Sequence, residues 1–131
     1  MKYILLMSGT AKGVDTYRTW SQQDIQAHFA ELTRINEDLK RRGEFVATEG
    51  LGFPQEAKRV VADEDGVPMT DGVFPEAKEF VLGYWIVDVD GPERAYEIAG
   101  RISGARGPGG VRTRMPIEVR QIMSRNSPEQ V

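Results

Sequence analysis

The sequence predicts an α+β fold of the ferredoxin-like type, βαββαβ with an extra hairpin. Two observations support this prediction. Residues 2–7 and 80–89 are apolar on both alternating faces, which is typical of central strands covered on two sides. Two segments with helical periodicity, residues 21–42 and 92–103, separate the strands. A chain of 131 residues can bury one sizeable core, and we predict a single domain over residues 1–123 with a flexible tail at 124–131.

The first strand and first helix frame the N-terminal part. Residues 8–20 have no apolar period and contain two glycines, which predicts a long loop whose Tyr17 and Trp20 either line a pocket or cover the core. Ser21 with Asp24 resembles a capping box that opens the helix. Gly43 is placed to end it as the residue after the C-cap.

His28 is the only histidine of the chain, and it lies within the predicted buried stripe of this helix. The stripe has helical spacing and consists of Ile25, Phe29, Leu32, Ile35 and Leu39, with Asn36 also inside it. Burial favours the neutral form of an imidazole, which is the form that acts as a general base. His28 is therefore either a core histidine satisfied by one hydrogen bond or a catalytic base.

The middle of the chain predicts strands and turns. Residues 44–48 and 57–62 are strand candidates, and Asp65-Gly66 is a strong hairpin signal that returns the chain through residues 67–70. A turn at Asp71-Gly72 precedes the long strand 80–89. Gly83 in the middle of that strand indicates a bulge or the close approach of another backbone or a ligand.

The C-terminal part predicts a helix that begins near Pro92 and stops at Gly104, with Ala95, Ile98, Ala99 and Ile102 buried, and a final strand over residues 116–123. The glycine-rich residues 104–110 predict a mobile loop. Two helices cover only one face of the sheet. The apolar second face therefore predicts a homodimer.

Composition excludes several classes of function. A net charge of −3 argues against a nucleic-acid partner, although residues 101–125 hold six arginines and one acid, either as a solvated region or as an anion site. With no cysteine and one histidine, we expect no metal and no cofactor. The apolar run after Lys2 ends at Met7, too short for a signal peptide or membrane span, so we expect a cytoplasmic protein with no membrane partner.

The turn at Asp71-Gly72 and the long strand that follows it carry a family resemblance. Residues 70–74 read TDGVF, residues 76–79 read EAKE and residues 83–90 read GYWIVDVD, and together they resemble the motif block of the YCII-related (DGPF-domain) family. Val73 stands where the motif has proline, which loosens the turn. The resemblance extends to residues 27–29 and 116–120, so it covers most of the chain.

The resemblance implies a dimeric α+β barrel with a pocket that includes His28 and Asp71. A carboxylate in contact with the imidazole would orient it and strengthen it as a base. An aspartate in a tight turn is also favoured for local reasons, because it accepts backbone N–H bonds. Lys78 is a candidate anion contact, or part of a solvated charged face, and Trp85 is a candidate substrate contact.

Two functions follow from this reading. The first is a small cofactor-free enzyme, a lyase, isomerase or hydrolase, that acts on a small metabolite with His28 and Asp71. The second is a non-catalytic dimeric module that binds a ligand or regulates. The resemblance implies a link to extracytoplasmic-function sigma factors for the second function. A pocket into which His28 faces favours the enzyme, and a collapsed interior with His28 bonded to a backbone carbonyl favours the module.

Overall fold

The computed structural model of the protein describes residues 1–71 and 79–123. Its strands are β1 (Lys2–Gly9), β2 (Phe45–Gly50), β3 (Arg59–Ala62), β4 (Pro68–Asp71), β5 (Phe80–Asp88) and β6 (Ile117–Gln121). Its helices are α1 (Ala11–Tyr17), α2 (Gln22–Arg41) and α3 (Pro92–Ser103), and two short 3₁₀ turns lie at Pro54–Glu56 and Pro108–Gly110. None of the helices in these residues is long and apolar enough to cross a membrane.

The main sheet confirms the predicted fold class. Its strand order is β2-β5-β1-β6, and every neighbouring pair is antiparallel. This is the strand order of a ferredoxin-like βαββαβ unit. The predicted extra hairpin is β3-β4, which forms a separate two-stranded sheet. Its turn depends on Asp63, whose carboxylate accepts from the backbone N–H groups of Asp65 and Val67, while Gly66 adopts a φ of +83°.

The predicted loop over residues 8–20 is wrong in part, because most of it is helical. Strand β1 continues to Gly9, and α1 follows directly. Thr10 caps this helix, and its Oγ1 accepts from the N–H of Gly13 at 3.0 Å. With seven residues and one buried side chain, Val14, α1 is too short to show an apolar period. The Thr10 cap is the only local signal for it.

Helix α2 begins and ends as predicted. Ser21 Oγ accepts from the N–H of Asp24 at 3.0 Å, and Gly43 has a φ of +70°, the left-handed conformation that favours glycine after a helix. His28, Ile35 and Leu39 are buried in α2 as expected. Phe29 is not part of the buried stripe, since its side chain is 51 % exposed. It lies at the edge of the space between α2 and the sheet.

The hydrophobic core lies between one face of the sheet and the helices α2 and α3. Its largest fully buried side chains are Leu5, Leu39, Val87, Ile98 and Ile102. The predicted face of α3, Ala95, Ile98, Ala99 and Ile102, is buried as expected. The bidentate pair of Arg94 with Glu44, with both N–O distances at 2.8 Å, fixes α3 to the start of β2, and it holds the pKa of Glu44 below its usual range.

The opposite face of the sheet is apolar and only partly covered. Ile4, Leu6, Tyr84 and Ile86 alternate with the core residues of β1 and β5 and are half-buried. Val81 on the same face is 43 % exposed. Helices α2 and α3 pack on the core side and do not cover this face. The homodimer stays a prediction, and this sheet face is the surface through which it would form.

The glycine-rich residues 104–110 form a defined turn after α3. Arg106 pairs with Arg112 in an isolated antiparallel bridge, and the N–H of Gly107 donates to the carbonyl of Val111 at 2.8 Å. Two of the nearby arginines have structural partners: Arg101 pairs with Asp38 at 2.6 Å, and Arg112 donates to the carbonyl of Gly104. Arg101 and Arg112 thus bind other parts of the chain, which argues against an anion site at these two residues. The mobility of the turn stays a prediction.

Gly83 shows the close backbone approach that the sequence predicts. A Cβ atom at Gly83 would lie 3.0 Å from the carbonyl oxygen of Glu49 and 3.5 Å from the Cα of Gly50. The register between β1 and β5 shifts next to this point, between Met7 and Ser8, which is the signature of a bulge. β2 and β5 can therefore approach this closely only because residue 83 has no side chain.

We expect Gly83→Ala to lower the free energy of unfolding by about 1–3 kcal/mol, because the added methyl group meets backbone that cannot rotate away. Chemical denaturation followed by tryptophan fluorescence measures this change. Gly50→Ala is the matched control: Gly50 pairs with Gly83 in the same ladder, but no atom lies within 4 Å of its added Cβ. The control should change stability by less than about 0.5 kcal/mol. Equal losses in the two variants would contradict the steric explanation.

Candidate functional site

A cavity of about 430 Å³ lies on the helix side of the sheet. Its walls come from α1, α2, the bend after β2 and the core-facing residues of β1 and β5. Phe29, Leu51 and Phe53 line it and are 51, 49 and 41 % exposed, so they mark its opening. The volume is within the range of small-molecule sites, about 300–1,000 Å³. The cavity is formed within one chain, whereas the resemblance implied a pocket of the dimer.

His28 lies in the wall of this cavity and is 6 % exposed. Its Nδ1 lies 2.9 Å from the carbonyl oxygen of Arg106. Because a carbonyl oxygen only accepts hydrogen bonds, Nδ1 must carry the proton. In the neutral ring, Nε2 then carries the lone pair. The fold thus selects the tautomer of the histidine.

Glu31 holds the other side of the same residue. Its Oε2 accepts from the backbone N–H of Arg106 at 2.8 Å. His28 and Glu31 are three residues apart on α2, so they face the same way. Together they bind the N–H and C=O groups of Arg106, as a neighbouring strand would. We call this pair of contacts the Arg106 clamp.

Trp20 completes the surroundings of the imidazole. The two rings meet edge to face with centroids 5.3 Å apart, and the ring centroid of Tyr17 lies 4.9 Å from that of Trp20. The turn after α3 packs against Trp20, because a Cβ atom at Gly107 would lie 2.8 Å from the indole ring. Tyr17 and Trp20 were both expected either to line a pocket or to cover the core. Tyr17 lines the cavity, whereas Trp20 packs against His28.

Trp85 and Asn36 form a second polar point of the cavity wall. Trp85 is 6 % exposed, and its indole Nε1 donates to Oδ1 of Asn36 at 2.9 Å. An indole N–H can only donate, so the orientation of the Asn36 amide is fixed. Both residues line the cavity. Trp85 therefore offers its apolar ring to the cavity and Asn36 offers its amide group.

The remaining polar groups are few and mostly uncharged. Burial raises the pKa of Tyr17, so its phenol stays protonated near neutral pH. Thr48 lines the cavity, but its hydroxyl donates to the carbonyl of Tyr84 at 2.9 Å. Among the lining residues that the structure describes, Glu49 is the only one with a charged side chain. The wall is therefore mainly apolar, with polar groups at separate points.

The family model of the YCII-related domain matches residues 1–119, nearly the whole chain. The chain belongs to the YCII-related domain family. Comparison with curated proteins gave no match. The family assignment confirms the resemblance found in the sequence, and it agrees with the α+β fold of the YCII-related domain seen here.

The candidate residues of this YCII-related domain have different outcomes. His28 and Trp85 both line the cavity, and their roles as site residues stay predictions. The backbone of Asp71 ends β4 and pairs with Arg59, while its side chain lies outside the described part of the structure. Lys78 lies outside the described residues altogether. The pair of His28 with Asp71 therefore stays a prediction.

Sequence reasoning did not identify Asn36, Glu31 or Arg106 as site residues. Asn36 had a usable signal, because an amide inside an apolar helical stripe must have polar partners. Glu31 and Arg106 had none. Arg106 acts through its backbone, and no residue type marks a backbone contact with a helix 78 positions away. Within residues 1–71 and 79–123, no group of three or more metal-ligating side chains comes together.

We expect His28 in the free protein at neutral pH to carry its proton on Nδ1, because the Arg106 carbonyl accepts it. Long-range ¹H–¹⁵N correlation of the single histidine distinguishes the two nitrogens directly. Glu31→Ala removes the acceptor for the Arg106 N–H and should allow part of the population to change tautomer. Glu37→Ala, an exposed acid on the same helix, is the control and should not. A proton on Nε2 in the wild type would disprove the clamp.

Proposed function

We propose that the protein is a small enzyme that works without a cofactor and uses His28 as a general base on a small molecule in the cavity. The observation that carries this proposal is the open cavity that has His28 in its wall. The 2.9 Å contact of Nδ1 with the Arg106 carbonyl fixes the tautomer of the ring. It leaves Nε2 as the nitrogen that accepts a proton. A general base must have an oriented lone pair beside the substrate, and this arrangement provides one.

The Arg106 clamp supports the base in two ways. It fixes the ring, so that Nε2 does not exchange roles with Nδ1 during turnover. When the ring takes a proton and becomes positive, the negative end of the Arg106 carbonyl dipole stabilises that charge. The Glu31 carboxylate accepts from the N–H of the same residue. Proton abstraction next to a carbonyl, as in lyases and isomerases, and activation of a water, as in hydrolases, both require such a base.

Asp71 retains a place in this proposal, but a different one. Nδ1 is where an orienting carboxylate usually binds, and the Arg106 carbonyl occupies that position. Asp71 would therefore act from the Nε2 side, on the substrate or through a water. Lys78, if it reaches the same space, would add a positive charge beside an anionic intermediate.

The second candidate is a binding module without catalysis. A histidine whose Nδ1 binds a backbone carbonyl is also what a structural histidine looks like, and this observation favours the module. In that case His28 would hold the turn after α3 against α2, and the cavity would bind a ligand that is not changed. The link to sigma factors expected from the family belongs to this candidate.

Exchange of carbon-bound protons separates the two candidates. We expect the wild type to accelerate deuterium exchange at the positions next to the carbonyl of cyclohexanone or acetophenone in D₂O, as followed by NMR. His28→Gln should lower this rate by about 10²–10⁴-fold, the usual contribution of a general base. Glu37→Ala, which changes an exposed residue of α2, is the control.

The same samples report binding through the amide signals of Leu82 and Gly83 in the cavity wall. Ketones that shift these signals in both the wild type and His28→Gln, without faster exchange in either, would reject proton abstraction by His28 and support the module. If neither cyclohexanone nor acetophenone binds, the result would count against both the enzyme and the binding module.

We also propose that the protein is a homodimer joined through the open sheet face. Ile4, Leu6, Tyr84 and Ile86 form an apolar surface that stays half-exposed in the single chain. Soluble monomers seldom leave a continuous apolar sheet face uncovered. A second copy would cover it without closing the cavity, which lies on the other side of the sheet.

Light scattering at micromolar concentration should give twice the chain mass of 14.7 kDa. Ile86→Lys places a charge in the middle of the open face and should reduce the mass to that of one chain. Tyr96→Lys is the control, since Tyr96 is 57 % exposed on α3, away from this face. A wild-type mass near 14.7 kDa would contradict the proposal.

A further inference from the structure

Three residues of α2 face the cavity in one line. His28, Leu32 and Asn36 are spaced four residues apart, and all three line the cavity. Residues four apart lie on the same side of a helix. At 1.5 Å per residue, the ends of this line are roughly 12 Å apart along the helix axis. The order of the line is polar, apolar, polar.

The two polar ends have opposite hydrogen-bonding character. His28 presents the Nε2 lone pair, since Nδ1 donates to the Arg106 carbonyl. Asn36 presents its NH₂ group, since its Oδ1 accepts from the indole of Trp85. In the described residues, no buried side-chain nitrogen or oxygen lacks a partner, so this NH₂ group is accessible from the cavity. One end of the line therefore accepts a hydrogen bond and the other donates.

The wall between these ends is apolar. Leu32 lies between them on α2, and Val14, Leu82 and the ring of Trp85 also line the space. Glu49 is the only charged side chain among the described lining residues, and it is exposed. A charged group in the interior of this cavity would lose hydration without gaining an opposite charge, which disfavours its binding. The described wall thus selects against an ionised ligand.

We propose that the cavity takes an uncharged, elongated molecule with a hydroxyl group at one end, a carbonyl group at the other and an apolar chain or ring system between them. The hydroxyl donates to Nε2 of His28, and the carbonyl accepts from the NH₂ group of Asn36. This assignment rests on the proposed use of the cavity as a ligand site. It describes a bound ligand and not the substrate of proton abstraction, because the carbonyl group lies at Asn36, roughly 12 Å along α2 from His28. It adds the length, the polarity and the orientation of the ligand.

Four probes of equal length test the assignment by NMR titration of the amide signals of Leu82 and Gly83. They are 8-hydroxyoctan-2-one, octan-2-one, octan-1-ol and 7-oxooctanoate. The hydroxyketone should bind most tightly. Loss of either polar group should weaken binding about 5–10-fold, the worth of one hydrogen bond, and the carboxylate should bind more weakly still.

Two variants locate the ends. Asn36→Asp keeps an oxygen for the Trp85 N–H but removes the NH₂ donor, so it should weaken octan-2-one and the hydroxyketone while octan-1-ol is unaffected. His28→Gln replaces the ring nitrogen and should weaken octan-1-ol and the hydroxyketone while octan-2-one is unaffected. If a variant does not fold, the wild-type ranking of the four probes still decides the length and the charge preference.

Each other outcome overturns the assignment. Equal affinities for the four probes would show an undirected apolar cavity, and the proposed general base would survive that result. Tightest binding of 7-oxooctanoate would show a cationic site, which the described wall does not contain. Binding of none of the four would reject the elongated ligand, and the ketone exchange rates would then decide the proposed function separately.

Discussion

The hydrogen bond between His28 Nδ1 and the Arg106 carbonyl fixes the imidazole in the wall of the cavity. It joins the middle of α2 to the turn after α3, two segments that are 78 positions apart in the chain. It fixes Nδ1 as the donor and leaves Nε2 as the acceptor of the neutral ring. With Glu31 bound to the N–H of the same residue, the contact has two points and resists rotation. The orientation of the imidazole and the packing of Trp20 both depend on the position of this one peptide segment.

The fold could be predicted from the sequence because its signals are local. Strands β1 and β5 show alternation on two faces, α2 has a cap at each end, and the hairpin has its turn residues. Helix α1 could not be predicted, since a helix of seven residues with Val14 as its single buried side chain shows no period. Phe29 was assigned to the core because spacing gives the side of a helix that faces inward, but not whether packing fills the space there.

The site was predictable only in part, and for a physical reason. His28 was identifiable because a lone histidine on an apolar stripe is unusual in itself. Its partner was expected to be a carboxylate, since side chains are what a sequence displays. The structure supplies a backbone carbonyl instead, and a contact of that kind is determined by the path of the chain. The orientation of the Asn36 amide depends on Trp85, whose Nε1–H donates to Oδ1 and leaves the NH₂ group as the free donor.

The Arg106 clamp has a consequence for how this site can vary. Because α2 binds only the N–H and C=O of residue 106, the arginine side chain takes no part in holding His28. These two contacts therefore allow any residue at position 106 except proline, which has no N–H to donate to Glu31. The neighbouring Gly107 is constrained instead, since a side chain there would collide with Trp20. The packing around His28 thus limits the side chain at position 107 more than the side chain at position 106.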